Sequence, residues 1–141
     1  MKRILFVKDD DKITRLIRSL IENQMHIKGS ELDLIRIPSG EEAIRLLEMQ
    51  LDDRVDGLMV DRYNPNDDGL QIIQMYHTRY PDAEIALYTE EGNKDYHNNA
   101  VVCGASTLIQ KPVSFHGLKP FFLKVLRKKA TGKPSIIPLT V

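Results

Sequence analysis

A chain of 141 residues fits one domain and is long enough to bury roughly 68–70% of the surface its unfolded form exposes. Twenty Lys and Arg balance twenty Asp and Glu, and zero net charge excludes the global basic field that draws proteins to nucleic acid. One cysteine, Cys103, excludes an intrachain disulfide, and no apolar run nears the ~20 residues of a membrane span.

The N-terminus lacks the apolar core of a signal peptide, so the expected location is cytoplasmic. In such a chain Cys103 reads as a small structural residue near a helix end rather than a reactive thiol.

In chain order, Ile4–Val7 is an apolar run of strand length. Ile13, Leu16, Ile17, Leu20 and Ile21 repeat at helical spacing and predict an amphipathic helix. Leu32–Ile37 is a second strand. Ser39 with Glu42 reads as a capping box that opens a helix over Ala43–Leu51. Val55–Val60 is a third strand, and Asp68 with Gln71 opens the helix Leu70–Tyr76. Glu84–Tyr88 is a fourth strand. The helix over about 93–103 is the weakest, because its Asn pair has low helix propensity. Ser106–Gln110 is a fifth strand, and Ser114 caps a helix over Phe115–Leu126. Thr131–Val141 holds Gly132, Pro134 and Pro138 without periodicity and reads as a linker or tail.

Strand alternating with helix in one domain predicts a parallel sheet covered on both faces. The first, third and fourth runs are apolar at most positions, as strands buried on both sides must be. Ligands of such sheets bind beyond the carboxyl ends of the strands. After the first run comes Lys8-Asp9-Asp10-Asp11, and after the third Asp61-Arg62-Tyr63-Asn64-Pro65. The fourth leads into Thr89-Glu90-Glu91 and the fifth into Lys111-Pro112. Topology therefore directs two acidic groups, a hydroxyl and an ammonium to one rim.

The segments ILFVKDDDKI, PSGEEAIRLL, GLMVDRYNPNDDGLQII, ALYTEEGN and GASTLIQKPV, in this order and spacing, resemble the receiver domain of two-component response regulators. The resemblance covers residues 2–127 and implies a flavodoxin-like (βα)5 α/β fold, doubly wound, with strand order 2-1-3-4-5. It places a receiver domain at 1–129 and a linker or disordered tail at 130–141. The implied chemistry is transfer of a phosphoryl group from a histidine kinase or phosphotransfer protein to Asp61. Carboxylates act as such nucleophiles, and the transfer depends on positioning and charge neutralisation. By the same resemblance Asp9, Asp61 and the Tyr63 carbonyl hold Mg²⁺, Lys111 pairs with the phosphoryl oxygens, and Thr89 donates its hydroxyl to them. The Lys111–Pro112 bond is expected to be cis. Such a domain is a switch rather than an enzyme, with at most self-catalysed transfer and dephosphorylation. The resemblance also implies a downstream effector and a homodimer through helix 4, strand 5 and helix 5.

Asp10 and Asp11 read as helix caps, and Arg127-Lys128-Lys129 as a solvated helix end. His26, His77, His97 and His116 lack ligand spacing and read as surface residues. Three positions depart from the family pattern. Lys8 stands where an acidic residue helps recruit the metal, so Mg²⁺ binding is expected to be weakened. Sliding the strand to pair Asp9 with Asp10 would misplace Ile13, Leu16 and Ile17, which fit the first-helix core without a gap. Glu90 follows the switch hydroxyl where a small residue is usual, and Leu108 occupies the position of an aromatic switch residue. Two functions stay open: a phosphoacceptor switch, and a degenerate receiver that takes no phosphate and works as a protein-interaction module. A flavin or nucleotide binder lacks its Gly-rich loop after the first strand. No DNA-binding or catalytic module is recognisable, so the effector is expected on another chain or a further stretch of this one.

Overall fold

The computed structural model describes residues 2–7, 11–27, 31–49, 54–61, 69–90 and 94–127. The elements are β1 (Lys2–Val7), α1 (Asp11–Asn23), β2 (Leu32–Ile37), α2 (Gly40–Met49), β3 (Gly57–Asp61) and α3 (Gly69–Arg79). They continue with β4 (Glu84–Thr89), α4 (Lys94–Cys103), β5 (Thr107–Gln110) and α5 (Phe115–Arg127). The five strands form one parallel sheet in the order β2-β1-β3-β4-β5, the predicted doubly wound arrangement. No described helix is long and apolar enough to cross a membrane.

Successive strand side chains point to opposite faces, and this divides the core in two. Ile4, Phe6, Met59, Ala86, Tyr88 and Ile109 face α1 and α5. Leu5, Val7, Leu58, Val60, Ile85 and Leu87 face α2, α3 and α4. β1, β3 and β4 are accordingly buried on both sides. Gly57 lets α5 approach β3: a Cβ there would stand 3.0 Å from Val125 and 3.2 Å from Phe121. At the opposite edge from the site, Asp56 accepts from the Arg3 amide at 2.8 Å and from Arg54 Nε at 2.9 Å. That engagement explains why β3 starts at Gly57 rather than at Val55.

The helix starts follow the expected caps in part. Ser39 Oγ accepts from the Glu42 amide at 3.1 Å, and Ser114 Oγ accepts from the Gly117 amide at 3.1 Å. The Glu42 carboxylate, however, takes two bonds from Arg45, so the reciprocal half of the capping box is replaced by a surface ion pair. Asp68 lies outside the described residues.

The α1 stripe needs correction. Its buried residues are Thr14, Ile17 and Ile21, Ile13 and Leu20 are only partly buried, and Leu16 is 45% exposed. Leu16 follows Thr14 by two positions, about 200° round the helix, so burying Thr14 turns Leu16 outward.

The turn closing α4 rests on Gly104, whose φ is 130°. A Cβ there would meet the His77 side chain at 2.5 Å. Gly104→Ala is expected to lower stability by at least about 2 kcal/mol, because the backbone conformation is strained and His77 Cβ, 2.6 Å from the added carbon, cannot rotate away. Chemical denaturation measures this loss.

Candidate functional site

Register sets the site. Val7 lies opposite Val60, Asp61 opposite Tyr88, and Thr89 opposite Gln110, so the carboxyl ends of four strands are level. Asp61 ends β3, Thr89 ends β4, and Lys111 immediately follows β5. The structure thus brings Asp61, Thr89 and Lys111 to one edge, as their positions after the apolar runs predict. Lys8, Asp9, Asp10 and Tyr63 lie outside the described residues.

The Asp61 side chain is 2% exposed, and Lys111 Nζ stands 2.5 Å from its Oδ1. A buried carboxylate requires such a partner, because an unpaired charge away from water is very costly. Two further contacts hold Lys111. Its backbone amide donates to the Thr89 carbonyl at 2.8 Å, and the Lys111–Pro112 bond is cis, as expected. Its ammonium also lies 5.1 Å from the Tyr88 ring centroid. Tyr88 is buried and stands edge-on to Phe6 at 6.0 Å, so the ring is fixed by the core beneath it.

Thr89 is also buried, and its hydroxyl donates to the Glu90 carbonyl at 3.2 Å. His97 Nε2 lies 3.4 Å from the same oxygen. Sequence reasoning placed His97 on the surface, but the residue is half-buried. One signal was available. His97 is the fourth residue of α4, and helical side chains lean toward the N-terminus, which here faces the end of β4. Tyr88 was likewise read only as strand filling. Glu90 is exposed directly beyond the hydroxyl, and Leu108 is 44% exposed on β5.

Among the described residues no three His, Cys, Asp or Glu side chains gather as a metal cluster. Asp61 is the only member of the expected Mg²⁺ set that the structure describes. Its hard carboxylate oxygen, at the rim where strands end, fits that cation.

Residues 4–121 match the family model of the response regulator receiver domain. Among curated proteins, the chain is 30% identical over 128 residues to the heme response regulator HssR of Staphylococcus aureus, covering 91% of this chain and 53% of that protein. It is 27% identical over 142 residues to a cyclic di-GMP phosphodiesterase of Thermotoga maritima, covering 89% of this chain and 36% of that protein. The chain therefore spans about half or less of these relatives' length. Among solved structures, the signal receiver domain of a DNA binding response regulator from Colwellia psychrerythraea superposes with TM-score 0.70 at 20% identity, over 91% of this chain and all of that one. The chemotaxis response regulator CheY4 of Vibrio cholerae gives TM-score 0.69 at 19% identity, over 89% of this chain and 98% of that one. The family match covers most of the chain, and the strand order agrees with it: the chain belongs to the response regulator receiver domains.

Proposed function

We propose that the domain is a phosphoacceptor switch in which Asp61 takes a phosphoryl group from a histidine kinase or a phosphotransfer protein. One observation carries this: the Asp61 carboxylate is buried at the carboxyl edge with the Lys111 ammonium 2.5 Å away. An Asp61 oxygen forms the new bond to phosphorus while the phosphorus–nitrogen bond of the donor histidine breaks, and that nitrogen leaves with the electron pair and takes up a proton from water. Lys111, already paired with Asp61, is placed to pair with the phosphoryl oxygens, and Thr89 is placed to donate its hydroxyl to them. Mg²⁺, when bound, neutralises part of the charge on the transferring group. Asp61, with Asp9 and the Tyr63 carbonyl, would hold that ion.

The domain runs over 1–129, with 130–141 as a linker or tail. Its effector lies on a further part of a longer protein or on another chain, consistent with the larger size of its relatives. Exposed Val101, Val102 and Leu108 offer an apolar surface on α4 and β5 for self-association or effector contact. No nucleic acid or membrane contact is proposed for this domain, and its location is cytoplasmic.

The degenerate reading draws on Lys8, Glu90 and Leu108. An exposed anion beside the hydroxyl repels a phosphodonor, and a leucine tip carries no hydroxyl to exchange between water and a buried partner. Incubation with acetyl phosphate and Mg²⁺, followed by intact-mass analysis, decides between the two. One added phosphoryl group is expected; none under generous Mg²⁺ overturns the acceptor reading and favours the interaction module.

A further inference from the structure

We propose that His97 is the positioning residue that ties the Thr89 hydroxyl to α4 and reports the state of the site to that helix. The inference rests on the phosphoacceptor reading and goes beyond it. Thr89 sits at the end of β4 with its hydroxyl between two neighbours, the Glu90 carbonyl at 3.2 Å and His97 Nε2 at 3.4 Å. A hydroxyl has one proton to donate. Donation to a phosphoryl oxygen on Asp61 takes that proton from the Glu90 carbonyl and turns the oxygen, so its contact with His97 Nε2 changes as well.

α4 is built to feel that change. Of its ten residues only Ala100 is fully buried, while Tyr96 and Cys103 pack partly against the core. The helix packs chiefly on α3. With so few apolar anchors, a single side-chain contact to the end of β4 is a large share of what fixes the first turn. Val101 follows His97 by one turn and is 54% exposed, and Val102 beside it is 85% exposed. Releasing His97 therefore shifts the helix that presents these valines. Leu108, at 44% exposure, carries no polar tip to relay the hydroxyl's movement along β5. The polar route out of Thr89 runs through His97.

The test uses protein with isotopically labelled histidine rings, with and without acetyl phosphate and Mg²⁺, and intact mass recorded on every sample. The His97 ring resonance is expected to move when the adduct forms, while those of exposed His26 and His116 stay in place. In free Thr89→Val the His97 resonance should already differ from wild type. His97→Leu should change the labelled fraction at limiting phosphodonor by about fivefold, the effect of one modest hydrogen bond. His97→Gln, which keeps a polar side chain, should restore the wild-type fraction. An adduct that forms with the His97 resonance unmoved overturns the coupling and leaves Asp61 as acceptor. An unchanged His97 resonance in free Thr89→Val overturns the contact itself, whatever Asp61 does. No mass increase in wild type overturns the acceptor reading and takes the coupling with it.

Discussion

Asp61→Asn is expected to abolish phosphoryl uptake completely while leaving the fold in place. The amide matches the carboxylate in shape, so the fully packed surroundings of β3 need not move. It retains an oxygen that can accept from Lys111 Nζ, now 2.5 Å from Oδ1. Lys111 is 18% exposed along its side chain and can turn its charge toward water, so no uncompensated cation is trapped. What is lost is the nucleophile. An amide oxygen carries no formal charge and does not form a stable acyl phosphate under these conditions. Intact mass after acetyl phosphate treatment, with circular dichroism as the check on folding, reads both halves of the prediction. Labelling that survives the substitution places the acceptor on another residue.

The rest of the fold was legible for a definite reason. Ile4–Val7, Gly57–Val60 and Ile85–Thr89 are buried on both faces, so their apolar runs announce strands without ambiguity. The α1 stripe was legible as a helix but not in its rotation. Apolar spacing predicts Leu16 in the core, yet Thr14 is fully buried and Leu16 is exposed. Helix rotation is set by what the sheet and α5 leave room for, and that does not appear in the spacing of apolar residues. The site divides the same way. Asp61, Thr89 and Lys111 were found because each ends or follows a strand, and topology does the rest. Tyr88 beneath Lys111 and His97 beside Thr89 were missed because those contacts join residues from different elements. A buried tyrosine and a helix histidine are common, and only tertiary packing assigns these two to the rim.

Lys8→Glu is expected to tighten Mg²⁺ binding by about 10- to 100-fold. Lys8 directly follows Val7, and Val7 lies opposite Val60, the residue before Asp61. In sequence it is one residue, about 3.8 Å of chain, from a strand that flanks the acceptor. An ammonium about 6 Å from a divalent ion opposes it by roughly 5 kcal/mol at an effective dielectric near 20. A lysine's four-carbon stem allows the charge to swing outward, so only about 1–3 kcal/mol of that opposition is expected. At about 1.4 kcal/mol per tenfold, this is the stated range. Substituting glutamate removes the repulsion and adds an oxygen that holds the ion directly or through water. Calorimetric titration of Mg²⁺ into wild type and Lys8→Glu, with Asp61→Asn as the control that loses one ligand, measures the difference. Equal affinities for wild type and Lys8→Glu would mean that Lys8 stands out in solvent and exerts no force on the ion.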